Sequence, residues 1–190
     1  MQRTLPLEGI TVVSVEQAVA LPFATRQLAD LGARVIKVER PGVGDFARGY
    51  DETVRGMASH FVWLNRSKES LALDLKRDGS KEALRKLIAG ADVFAQNLAP
   101  GAAERLGFGA EELRREHQRL VYCSISGFGR RAGAALPGYD FLVQAVGGLM
   151  SITGDADGPP SKVGVALVDV VAAISASPPR WARAPSRTGR

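Results

Sequence analysis

Cysteine occurs once and histidine only twice in the 190 residues, which removes most of the side chains that build disulfide frameworks and zinc sites. Cys123 lies in the apolar run Leu120–Ile125 and reads as a buried strand residue rather than a nucleophile. His60 precedes an aromatic run and His117 falls on a polar helical stretch, so both read as surface or boundary residues rather than general bases. No apolar stretch reaches the roughly 18 residues of a membrane span, and Met1–Glu8 lacks the apolar core of a secretory signal. No Walker loop is present. These absences predict a cytoplasmic protein with no metal, no membrane association and no permanently bound cofactor. The net charge of +5 has little nucleic-acid meaning. Arg180, Arg183, Arg187 and Arg190 crowd the last residues, and without these four of the 25 basic side chains the remainder nearly balances the 20 acidic ones.

An apolar content of 45% and a charged content of 24% suit a globular domain, and the length allows a sizeable core. Short β-branched runs alternate with amphipathic segments. Gly9–Val15, Arg34–Arg40, Ser70–Lys76, Asp92–Gln96 and Arg119–Ser126 read as strands. Pro22–Leu31, Ser80–Ala89 (capped by Ser80) and Ala110–Gln118 read as helices. This alternation predicts an α/β fold: a Rossmann-like, doubly wound parallel sheet with flanking helices. Ligands then bind at the carboxyl ends of strands, around Val19, Arg40, Asn97 and Gly127. The string Gly127-Phe-Gly-Arg-Arg-Ala132 imitates a dinucleotide fingerprint. No helix opens after it to hold a pyrophosphate, so it is a decoy.

Asp169 stands out. It interrupts the apolar stretch Val163–Ala173, where a carboxylate is either satisfied as a helix N-terminal or buried acid, or is used chemically. The helical pattern over Gly164–Ile174 ends at Pro178-Pro179, and the Arg/Pro/Ser-rich remainder has little to bury. Residues 1–173 thus read as a folded portion and 174–190 as an aberrant, disordered tail.

Several segments together resemble the class III coenzyme A transferases, the group of formyl-CoA and carnitine CoA-transferases. They are Arg34–Asp45, Leu64–Leu75, Ala91–Gly101, Tyr122–Gly129, Gly138–Asp140, Gln144–Met150 and Thr153–Asp169. The resemblance runs in order from about Leu5 to Ala173. It implies transfer of CoA from an acyl-CoA to a small carboxylic acid, with coenzyme A as co-substrate. An aspartate attacks the thioester, a mixed anhydride forms, and an aspartyl-CoA thioester passes CoA to the acceptor. Asp169 matches that nucleophile, and its apolar neighbours Val165, Leu167, Val168 and Val170 offer a drying environment.

By the same resemblance Arg40, Leu73 and Lys76 border the nucleotide part of CoA, Asn97 the pantetheine, and Tyr139 the thioester end, with Arg105 on a short helix nearby. Val19 and Pro137 depart from the formyl-CoA transferase pattern and argue against formate and oxalate. Phe46–Arg55 and Ser59–Leu64 resemble enzymes of small dicarboxylic acyl groups such as mesaconyl or succinyl. Full family members are about twice as long and form interlinked homodimers, so the fold is expected to be incomplete relative to the family and the gene frameshifted or truncated. Two other readings remain open: an inactive or merely CoA-binding fragment, and a racemase-like isomerase.

Overall fold

Five β-branched runs become five parallel strands, and the segments between them cross over as helices. The computed structural model describes residues 5–129 and 131–176. In chain order the elements are β1 (Thr11–Val15), α1 (Ala20–Asp30), β2 (Arg34–Glu39), α2 (Ser59–Asn65), β3 (Glu69–Ala72), α3 (Asp78–Ala89), β4 (Val93–Gln96), α4 (Ala102–Arg105), α5 (Ala110–Glu116), β5 (Val121–Ser124), α6 (Asp140–Val146) and α7 (Leu167–Ala176). The sheet order is β3-β2-β1-β4-β5. Val13 of β1 sits between Ile36 of β2 and Phe94 of β4.

Side chains alternate across the sheet and fill two cores. Val12, Val35, Val93 and Ala95 meet Leu21, Ala24 and Leu28 of α1 and Ala173 of α7. Val13, Val15, Val38, Phe94 and Tyr122 meet Leu84 and Ile88 of α3 and Leu113 of α5 on the other face. Each fully buried leucine contributes about 2 kcal/mol. Docking of α7 on α1 through Ala173 ties the end of the described chain to its beginning.

Three boundaries differ from the sequence reading. The alternation of Leu71, Leu73 and Leu75 predicts a strand to Lys76, but pairing stops at Ala72 because β2 ends at Glu39 and Pro41 cannot donate. Asp74 then turns the chain by accepting from the Lys76 amide. Consequently α3 opens at Asp78, with extended Arg77 before it and Ser80 already inside the first turn rather than capping it. The last helix starts at Leu167 rather than Gly164, pinned where Asp140 accepts from the Val168 amide at 2.8 Å, and it runs through Ala176. The expected disorder beyond it falls outside the described residues. Among the described residues no helix is long and apolar enough to cross a membrane.

Candidate active site

Strand order reverses direction between β1 and β4, and at such a switch point the loops after the two strands diverge to leave a crevice. Here a cavity of about 460 Å³ opens between Gln17, Ala18 and Ala20 after β1, Asn97–Pro100 after β4, and Ser126–Phe128 after β5. Its remaining walls are Ala134–Tyr139 and, from α7, Val168, Asp169 and Ala172. Gly127 and Gly138 cross in backbone contact beside it. A Cβ on Gly138 would stand 2.6 Å from the Gly127 nitrogen and Cα, so both positions need glycine. This crossing accounts for Gly127 of the false fingerprint, and among the described residues no helix lies between Gly129 and α6.

Asp169 lies in the first turn of α7, half-buried in the cavity wall. Its backbone N–H and that of Val168 both donate to Asp140 Oδ1, while Asp140 Oδ2 accepts from Gln144. No described residue hydrogen-bonds or ion-pairs with the Asp169 carboxylate itself. Burial, and secondarily the negative charge of Asp140, push Asp169 up to about 6. The apolar neighbours expected to dry it do so only in part. Val168 shares the cavity wall, but Val165 is 62% exposed, because it lies in the bend before α7 opens at Leu167.

A second cleft of about 210 Å³ lies at the ends of β2 and β3, and it brings together Arg40, Leu73 and Lys76. Arg40 and Lys76 are exposed there and Leu73 is half-buried. Gln17 and Leu98 line both cavities, so the cleft of the basic pair adjoins the cavity of Asp169. Asn97 stands in the first cavity, but its amide is engaged: Oδ1 accepts from the Gln17 N–H at 2.9 Å and Nδ2 donates to the Gln17 carbonyl at 2.8 Å. Tyr139 lines the same cavity, largely exposed. Arg105 lines neither; it is exposed on α4 and donates to the Pro100 carbonyl, while its neighbour Leu106 borders the second cleft.

Sequence reasoning missed the charged cluster beneath the groove. Lys37 Nζ pairs with Asp45 Oδ2 at 2.6 Å and donates to Asn65 Oδ1, all three in or near the closed interior. Lys68 Nζ pairs with Glu16 Oε1 at 2.7 Å, and Thr25 donates to Glu16 Oε2. Burial pulls the Lys68 amine down to about 8 despite Glu16 beside it. Burial opposes the ionisation of Glu16, yet Lys68 and Lys37 hold its pKa below the ordinary value. A third buried acid, Glu39, is held near 2 against its burial by the Arg48 fork, the Asp45 amide and Ser70. Alternating strand patterns carry no mark for such residues; the apolar context of Lys37 in Arg34–Glu39 was the only signal. Tyr50 was missed as well: burial, then Asp45 and Asp169 nearby, push its phenol up to about 12.

Known proteins are similar to this chain in sequence and fold. An acetyl-CoA:oxalate CoA-transferase of Acetobacter aceti is 44% identical over 160 residues, covering 84% of this chain and 41% of the relative. A succinyl-CoA:glutarate CoA-transferase of Mus musculus is 39% identical over 173 residues, covering 90% and 40%. The crystal structure of a CAIB/BAIF family protein from Brucella suis superposes with a TM-score of 0.86 at 37% identity, over 92% of this chain and 47% of that one. The chain therefore spans about two fifths of the length of these curated relatives. The profile of CoA-transferase family III matches residues 7–178, and the chain belongs to that family.

Proposed function

We propose that this chain carries the nucleophile and the CoA groove of an enzyme that moves coenzyme A between short carboxylic acids. The observation that carries the reading is the Asp169 carboxylate, half-dried, without a partner among the described residues, and lining the cavity that adjoins the cleft of Arg40 and Lys76. A carboxylate is a weak nucleophile in water because hydration stabilises its charge. Removing part of that hydration raises both its basicity and its reactivity.

In the proposed cycle the Asp169 carboxylate attacks the acyl-CoA carbonyl, the thiolate leaves, and an acyl–aspartyl anhydride results. The thiolate then attacks the aspartyl carbonyl, releasing the donor acid and leaving an aspartyl-CoA thioester. An acceptor carboxylate attacks that thioester and expels the thiolate again, and the thiolate takes the acceptor's acyl group while Asp169 is regenerated. Bonds and charge balance at each step without an oxidant or metal. Arg40 and Lys76 offer charge-assisted hydrogen bonds to phosphates at the far end. Asn97 acts through the loop it clamps and offers the pantetheine only the face that Gln17 leaves free.

Short dicarboxylic acids are the substrate class we favour. The names of the relatives, oxalate and succinyl/glutarate transferases, support it. The test uses the polypeptide carrying these residues with succinyl-CoA and a panel of dicarboxylates. Hydroxylamine quenching should yield a hydroxamate at Asp169, detected by peptide mass spectrometry, and Asp169→Ala should abolish both adduct and transfer. Transfer surviving in that variant, or exchange of the substrate's α-hydrogen without transfer, refutes the proposal.

A further inference from the structure

Ala18 is a non-glycine residue in left-handed backbone, with φ of 63°, in the groove wall opposite α7. Such a conformation persists only where the surroundings enforce it. The enforcing contact is explicit: the Ala18 N–H donates to Asp45 Oδ1 at 3.1 Å, and the same oxygen accepts from the Ala47 N–H at 2.9 Å. The other oxygen is held by Lys37 at 2.6 Å. Asp45 is 1% exposed and Lys37 1% exposed, so neither exchanges this partner for water. The Asp45 backbone is fixed in turn by its own N–H donating to Glu39 Oε2. Just before Ala18, Asn97 clamps Gln17, and Lys68 and Thr25 clamp Glu16. Immediately after it α1 begins, and α1 is the helix against which α7, bearing Asp169, is packed.

We propose that Asp45 is a positioning residue for catalysis: braced by Lys37, its carboxylate holds Ala18 in the left-handed conformation and thereby sets the β1–α1 loop in register with Asp169. This inference rests on the proposed role of Asp169, but its structural half can be read without any turnover. The alternative for such a buried pair is general stability with no particular hold on the loop, and the experiment separates the two.

Because Asp45→Ala alone strands the Lys37 charge, the series is built on neutral pairs. Lys37→Met with Asp45→Asn keeps the acceptor oxygen, and Lys37→Met with Asp45→Ala removes it. Adding Ala18→Gly to the latter permits positive φ without an anchor. Hydrogen exchange of the 16–20 segment, with α3 as internal reference, reports the loop directly. The Asn pair should keep protection and kcat within about threefold of the parent. The Ala pair should lose protection at 16–20 by about tenfold or more while α3 holds. Its kcat should fall by about ten- to a hundredfold, as expected for a misplaced reacting group, with KM moving less. Ala18→Gly should recover most of that kcat. Unchanged exchange at 16–20 in the Ala pair, equal loss across α3, or no rescue by glycine overturns the proposal. A parent protein inert toward every acyl-CoA refutes the transferase reading instead, and the exchange pattern still decides the role of Asp45 in holding the loop.

Discussion

Replacing Asp169 by asparagine should stabilise the fold while destroying its chemistry. The carboxylate sits at about 6 instead of the ordinary 3.8 because burial and Asp140 disfavour its charge. Taken whole, that rise corresponds to about 3 kcal/mol of unfavourable ionisation in the folded state. Asp169 is only half-buried, and solvent screening trims the figure to about 1–2 kcal/mol. Its place in the first turn of α7, where the helix end favours an anion by about 0.3–1 kcal/mol, works against this penalty and keeps it at the lower end of that range. The sign follows from proton counting. Between pH 4 and 6 the folded state binds more protons here than the unfolded state, so stability falls as pH rises through that window. The penalty is complete above about pH 6 and absent below about pH 3.8, where both states are protonated. Urea unfolding followed by circular dichroism should therefore show Asp169→Asn more stable by about 1–2 kcal/mol at pH 7.5. The gain should shrink through pH 5 and vanish near pH 3.5. A variant no more stable than the parent at pH 7.5, or one whose gain is the same at every pH, refutes the account of a strained, ionised nucleophile.

Other consequences are open to measurement. CoA transfer should lose rate as pH falls through about 6, since only the ionised carboxylate attacks. Asp140→Asn, which keeps an acceptor for the Val168 amide, should move that acid limb lower without reaching 3.8, because burial is the larger cause; an unmoved limb contradicts this. Lys68→Met leaves Glu16 buried with only Lys37, 3.9 Å away, and should destabilise by about 3–5 kcal/mol in urea, whereas the pair Lys68→Met/Glu16→Gln should recover most of it. Arg40→Ala and Lys76→Ala should each weaken CoA binding about tenfold by calorimetry and flatten its salt dependence, with unfolding unchanged. Salt-insensitive binding in the parent speaks against phosphate pairing.

The strand-and-helix alternation was legible because a sheet covered on both faces demands apolar runs, and Val12–Val15, Val35–Val38 and Val93–Ala95 supply them. The positions of the loops followed from the parallel class alone. Asp169 was legible for the opposite reason, as the one charge inside an apolar helix. Lys37 offered the same kind of signal within its strand, but its meaning lies in Asp45 and Asn65, which arrive from distant segments. Asn97 fell at the expected place, yet its hold on Gln17 is a contact across 80 residues that no local pattern encodes. The start of α7 likewise depends on Asp140, which belongs to another helix.

The crossing of Gly127 over Gly138 brings two loop segments together backbone to backbone, with no room for a side chain on either. The cavity wall at Ala134–Tyr139 is therefore held beside Asp169 by two residues that have no side chain of their own, and any bulk added at either would push that wall away from α7.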